Sequence, residues 1–143
     1  MTAQHTLAMI KPDGVRKRLV GEIIGRYEKA GLQVATMKMF HMTKREAESF
    51  YKVHSDKSFF DSLTDFMSSG PIIALVLRGE NAISKNRELM GATNPKEAVE
   101  GTIRKAFASD IEKNIVHGSD APETAEKEIR FFFSDLDILR SNP

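Results

Sequence analysis

At 143 residues, 41% hydrophobic and 29% charged, the chain has the make-up of one ordinary globular unit, and residues 1–143 read as a single domain. A formal net charge of +1 argues against nucleic acid or an anionic membrane as the main partner, while leaving room for a local basic pocket. The lack of cysteine excludes disulfides and thiolate chemistry. The N-terminus Met1-Thr2-Ala3-Gln4-His5 lacks the order of a signal peptide, and no apolar run is long enough to span a bilayer, so the expected compartment is the cytoplasm.

Thr6 to Ile10 is a short apolar run, predicted to be a buried strand stopped by a turn at Lys11-Pro12-Asp13-Gly14. Leu19, Val20, Ile23, Ile24 and Tyr27 recur at helical spacing, with Gly31 as the C-terminal stop. Leu32 to Met42 is β-like. Thr43-Lys44-Arg45-Glu46 is a capping box opening a helix with Ala47, Phe50 and Tyr51 inward. Phe59, Phe60, Leu63, Phe66 and Met67 outline a short amphipathic helix. Two adjacent aromatics cannot both face inward on one helix, so one of Phe59 and Phe60 is expected in a groove. After Gly70-Pro71, the unbroken apolar run Ile72 to Leu77 predicts a central strand. Asn81 to Met90 reads as a helix closed by Gly91. Ala92 to Gly118 is long, polar and only briefly helical, with a short capped stretch at Ser109-Asp110-Ile111-Glu112; such a segment is usually functional. Ala121 to Glu128 reads as helix and Ile129 to Phe133 as a final strand. The alternation predicts an α/β sandwich with helices on one sheet face. The methionines mostly sit at core spacing, Arg16-Lys17-Arg18 reads as a solvated turn, and His5 and His41 as peripheral.

Chemistry concentrates in Asn114-Ile115-Val116-His117-Gly118-Ser119-Asp120. A histidine lies next to a helix start signal, in which Asp120 can cap, Pro122 suits the first turn and Glu123 can bond back. A helix N-terminus favours anions, and a neutral imidazole, with an unperturbed pKa of about 6.5, is a nucleophile suited to phosphate.

Four motifs occur in order: Ile10-Lys11-Pro12-Asp13-Gly14, Gly91-Ala92-Thr93-Asn94-Pro95, Gly101-Thr102-Ile103-Arg104, and Asn114-x-x-His117-Gly118-Ser119-Asp120. Together they resemble the nucleoside diphosphate kinase family, from about Thr6 to Phe133, and the short tail is similar to bacterial members. The resemblance implies an α+β fold: a ferredoxin-like βαββαβ core with a four-stranded antiparallel sheet in the order 4-1-3-2. It also implies transfer of the γ-phosphoryl group of a nucleoside triphosphate to a nucleoside diphosphate, by a ping-pong mechanism through a phosphohistidine on Nδ1 of His117.

By the same resemblance, Lys11, Arg87 and Arg104 meet the phosphates, and Lys11 also the ribose. Thr93 offers its hydroxyl to the β-phosphate, Asn114 contacts the sugar 3′-hydroxyl, and His54 lies on the phosphate side. Tyr51, Ser119 and Glu128 pack around and orient the imidazole. Phe59 and Ile111 sandwich the base, with Leu63 and Gly118 completing the nucleotide site. Stacking is nearly indifferent to base identity, so broad specificity follows. Mg²⁺ is expected to arrive on the nucleotide phosphates rather than in a protein cage, with Asp120 at most in a water-mediated role. The family's assemblies imply a homo-oligomer, tetramer or hexamer. Two departures occur, Lys105-Ala106 after Arg104 and the variable segment 96–100, the first touching a loop contact and the second subunit contacts. The competing reading is a catalytically silent nucleotide-binding or regulatory protein on the same fold. Silent relatives are expected to lose the histidine or the phosphate cations, which this chain keeps.

Overall fold

The computed structural model describes residues 3–138. Strand β1 (Gln4–Ile10) leads into a short helix α1 (Pro12–Arg16), then α2 (Val20–Lys29), β2 (Gln33–Phe40), α3 (Lys44–Phe50), α4 (Phe60–Met67), β3 (Ile72–Gly79), α5 (Ala82–Met90), α6 (Ile103–Phe107), β4 (Val116–Gly118) and α7 (Pro122–Phe132). Short 3-10 turns occupy Lys52–His54, Pro95–Glu97 and Asp135–Asp137. The expected Pro-Asp-Gly turn is thus a turn of helix. Pro12 fits its first position because the missing N–H would be unsatisfied there anyway.

The four strands form one antiparallel sheet in the order β2-β3-β1-β4, the order 4-1-3-2 read from the other edge. β1 pairs with β3 in the register Leu7↔Val76 and with β4 in the register Met9↔His117. This is the ferredoxin-like α+β architecture.

Helices cover both faces of the sheet, not one. Leu7, Met9, Ala74 and Val76 pack on one side with Ala47 of α3, Leu63, Phe66 and Met67 of α4, and Ile129 and Phe132 of α7. Ala8, Ile10, Ile73, Leu75 and Leu77 pack on the other with Ile23 and Tyr27 of α2, Ala82 and Met90 of α5, and Ile103 of α6. The reason is in the strands: β1 and β3 are apolar at both parities, so neither face can be left to water.

Three further expectations are corrected. Ile129 to Phe133 is no strand. α7 runs on to Phe132, with Phe133 extended just beyond it, because Ala125, Ile129 and Phe132 recur at helical spacing and bury one face. α7 begins after Ala121 with no side-chain cap, so Asp120 and Glu123 do not form the expected box, and His117 lies on strand β4 rather than at the helix end. In β2 a bulge at Ala35, between the pairs Val34↔Leu77 and Thr36↔Val76, breaks the alternation and leaves Met37 and Met39 exposed rather than in the core. The Thr43 capping box forms as expected, with Glu46 Oε1 accepting from Thr43 N at 2.8 Å and Thr43 Oγ1 accepting from Glu46 N at 3.1 Å.

Gly118 is where packing sets the site. A Cβ there would lie 2.4 Å from Asn86 Nδ2 and 2.6 Å from the Met90 sulfur, so α5 sits directly beneath β4 only because residue 118 has no side chain. Gly118→Ala should therefore force α5 and β4 apart and lower unfolding stability by about 1–3 kcal/mol. An unchanged denaturation midpoint would show that this contact relaxes freely.

Candidate active site

Strand β4 presents the imidazole of His117 into a cleft of about 620 Å³, a size that suits a small-molecule ligand. The cleft is walled by α4, α5, the segment 91–115 and the start of α7. Lys11, Tyr51, His54, Phe59, Leu63, Arg87, Thr93, Arg104, Ile111, Asn114, Gly118 and Glu128 line it with His117. All the expected site residues are therefore brought together except Ser119, which is buried behind the imidazole.

Glu128 of α7 anchors the histidine. Its Oε1 lies 3.0 Å from His117 Nε2 and accepts a second bond from Ser119 Oγ at 2.7 Å. An ionised carboxylate only accepts, so this contact places the proton on Nε2 and leaves the lone pair on Nδ1. Aromatic edges restrict the ring further. Phe50 packs T-shaped at 5.5 Å between centroids and Tyr51 at 6.1 Å. Burial pushes the Tyr51 hydroxyl pKa up, with the Glu128 charge adding to it, so Tyr51 stays a neutral phenol.

Lys11 follows β1 directly and is almost fully buried. Its ammonium donates to Asn114 Oδ1 at 2.8 Å and to the Glu112 carbonyl at 3.3 Å. Burial, then the neighbouring Arg104 charge, lower its pKa to about 8, against weaker opposite pulls from Asp13, Glu112 and Asp110. Arg104, expected as a phosphate ligand, is also buried. It donates to the carbonyls of Val116 at 2.9 Å, Gly91 at 3.0 Å and Asn114 at 3.4 Å. Burial and then Arg87 lower it to about 10, still cationic at neutral pH. Arg87 is exposed on α5 and makes a long bond, 3.5 Å, to the Gly118 carbonyl. Among the described residues, neither Lys11 nor Arg104 has a carboxylate within ion-pair distance.

The loop before β4 is held in a demanding shape. Ile115 has φ +75°, a left-handed conformation that costs a β-branched residue on the order of 1–3 kcal/mol. Asp13 Oδ2 accepts from the Ile115 N–H at 3.1 Å, and the Ile115 carbonyl accepts from the Lys11 N–H at 2.8 Å. Asn114 Nδ2 donates to the carbonyls of Ile111 and Thr93. The stretch Ser109-Asp110-Ile111-Glu112 is not helical. Asp110 Oδ1 accepts from the N–H groups of Glu112 and Lys113 in a side-chain-stabilised bend.

Phe59, at the N-cap of α4, is 46% exposed in the cleft while Phe60 packs against the core, so the adjacent aromatics divide as expected. Sequence reasoning missed Val53, Met90, Glu112 and Thr124 in the cleft lining, and the anchoring role of Asp13. Asp13 carried a readable signal, a carboxylate in a Pro-Asp-Gly segment, but was absorbed into the turn reading. Among the described residues no three His, Asp or Glu side chains converge to hold a metal.

A model of the nucleoside diphosphate kinase family matches residues 4–138. The chain belongs to this family. Nucleoside diphosphate kinases similar to it include one from Francisella tularensis, 62% identical over 139 residues, covering 97% of this chain and 99% of the relative. One from Desulforapulum autotrophicum is 57% identical, covering 95% and 99%. Among solved structures, the Aquifex aeolicus enzyme superposes with a TM-score of 0.94 at 43% identity, covering 96% of this chain and all of that one. The Halobacterium salinarum enzyme, in complex with CDP, gives 0.95 at 38% identity, covering 99% and 95%.

Two outcomes follow from the buried cations. Lys11 is charged below pH about 8 and neutral above it, so affinity for ADP should be full at neutral pH and fall as pH rises from about 7 to about 9, with proton uptake on binding at the upper end. Calorimetry in buffers of different ionisation enthalpy reads both, and a flat profile without proton uptake would contradict the assignment. Arg104→Ala leaves three carbonyls without their donor and should lower stability by about 3 kcal/mol together with turnover. Lost turnover at unchanged stability would reduce Arg104 to a phosphate contact alone.

Proposed function

We propose that the chain works as one domain and carries out its family's reaction in this cleft, passing the γ-phosphoryl of a nucleoside triphosphate first to His117 and then to a nucleoside diphosphate. One observation carries the reading. Two buried cations without carboxylate partners share a cleft with an imidazole whose Nδ1 is left open by the Nε2–Glu128 contact.

The chemistry follows from that arrangement. The Nδ1 lone pair attacks the γ-phosphorus, an N–P bond forms, and the bond from phosphorus to the β–γ bridging oxygen breaks, releasing the diphosphate. The proton on Nε2 stays, and Glu128 stabilises the positive charge that develops on the ring. The second half-reaction reverses these steps with a terminal phosphate oxygen of the incoming diphosphate as the nucleophile. Because donor and acceptor use the cleft in turn, one set of cations serves both. Lys11, Arg87 and Arg104 supply the field for the phosphates, with Thr93 and His54 beside them. In this reading the Lys11–Asn114 pair takes the ribose hydroxyls, and Phe59 and Ile111 the two faces of the base, which favours tolerance of base and sugar.

The family's reaction needs a divalent cation. We assign Mg²⁺ carried on the nucleotide, which would neutralise phosphate charge. Asp120, an exposed carboxylate in the cleft lining, is the group suited to reach it through water. A homo-oligomer is supported by the outer edge of the sheet. Among the described residues β2 has an unpaired side and exposes Met37 and Met39, and the helix α2 carries Gly21 and Gly25, around each of which a Cβ would meet no atom within 4 Å. No described helix is long and apolar enough to cross a membrane, and the nucleotide substrates favour the cytoplasm.

Intact-protein mass after incubation with ATP and Mg²⁺ should show one added phosphoryl group per chain, labile in acid and discharged by dTDP to give dTTP. His117→Ala should bind nucleotide but take up no phosphoryl group. Near-normal exchange by that variant, or binding of ATP without phosphorylation of the unaltered chain, would remove His117 from the mechanism.

A further inference from the structure

Two exposed apolar side chains from different parts of the chain line the cleft. Phe59 stands at the start of α4, and Ile111, 60% exposed, stands in the loop before β4. A hydrogen-bonded link joins the segments that carry them. Ser62, one turn along α4 from Phe59, donates from Oγ to both carboxylate oxygens of Glu112, at 2.9 and 3.1 Å, and Glu112 is the residue after Ile111.

Each end of this link is anchored independently. Lys44 of α3 bonds the carboxylates of Asp61 and Asp65, holding α4 from its far side. The loop is held by Lys11, which donates to the Glu112 carbonyl, and by Asn114, whose amide donates to the Ile111 carbonyl at 2.8 Å. The Ser62–Glu112 bond therefore joins two anchored segments across the mouth rather than two loose ends.

We propose that Ser62 and Glu112 are positioning residues that hold Phe59 and Ile111 at the separation a stacked base requires. The inference rests on the reading of these two side chains as the base slot, and it concerns the base end of the substrate, not the phosphates. A slot whose walls drift must be ordered each time a base enters, and that ordering is subtracted from affinity. A bond present in the empty cleft removes the cost in advance. Donation to a carboxylate makes the link stronger than a neutral contact of the same length. Because Ser62 is exposed and touches no catalytic group, its removal disturbs neither the core nor the imidazole.

The test compares ADP with pyrophosphate, a base-free probe of the phosphate end, in the full-length protein. Ser62→Ala and Glu112→Ala should each weaken ADP binding by roughly threefold to tenfold. The double variant should be no weaker than the worse single one, since both changes break the same bond. Ser62→Thr, which keeps the hydroxyl, should stay near the unaltered affinity, and the inhibition constant of pyrophosphate should not change in Ser62→Ala. Phe59→Ala separates the two levels of the argument. If it leaves ADP binding unchanged, the base slot itself is misassigned. If it weakens ADP while Ser62→Ala does not, the slot stands and the link is overturned. Additive single effects, or an equal loss of pyrophosphate affinity, would also overturn it.

Discussion

The ammonium of Lys11 and the guanidinium of Arg104 are buried close together, and carbonyl and amide oxygens rather than carboxylates surround them. Taking two like charges out of water is unfavourable, and here it is compensated by dipoles that come from separate stretches of chain. Arg104 gathers the carbonyls of Gly91, Asn114 and Val116, and Lys11 gathers Asn114 and Glu112. The loops around the cleft are thus folded onto the cations. A carboxylate in the same place would satisfy the charges more fully but would cancel the field they project. What remains is a cleft prepared for an anion with several charges, which is what phosphoryl transfer between nucleotides demands.

The imidazole of His117 is held by a different principle. His117 belongs to a three-residue strand at the sheet edge, and its backbone is fixed by pairing with β1 while Glu128 and the Phe50 and Tyr51 rings fix its side chain. Strand and helix placement gives a precision that a free loop would lack. The strain lies one step away, at Ile115, where the chain turns from the cation-binding loop into the strand. Asp13 holds that turn from a helix far away in sequence. Gly118 then lets α5 approach closely enough for Arg87 to bond the Gly118 carbonyl, so the position after His117 sets how near this cation comes to the imidazole.

These two arrangements meet at Asn114. Its Oδ1 accepts from the Lys11 ammonium and its amide donates to the carbonyls of Thr93 and Ile111, so one side chain connects the buried lysine to both ends of the cleft-lining loop. The Ser62–Glu112 link extends the same connectivity to α4. A chain of polar contacts thus runs around the cleft, over a sheet packed on both faces.

Much of this was legible in the sequence. The unbroken apolar runs at 6–10 and 72–77 pointed to the two central strands, because a run of this length bounded by turn residues and without a polar face suits a strand covered on both sides. The Thr43–Glu46 capping box, the stops at Gly31 and Gly91 and the adjacent Phe59 and Phe60 are local chemistry, and each formed as local chemistry requires. The motifs determined the family and which side chains would meet. Tertiary structure decided the rest. Ile129 to Phe133 has the composition of a strand, and only the buried face shared with Ala125 keeps it in α7 as far as Phe132. The turning of Arg104 toward carbonyls and the left-handed Ile115 depend on partners that no periodicity reveals. Lys11 and Asn114 are 103 positions apart, and Ser62 and Glu112 are 50 apart. Hydrophobic period and caps are written in neighbouring residues, whereas a hydrogen bond between distant residues exists only once the sheet has set their separation.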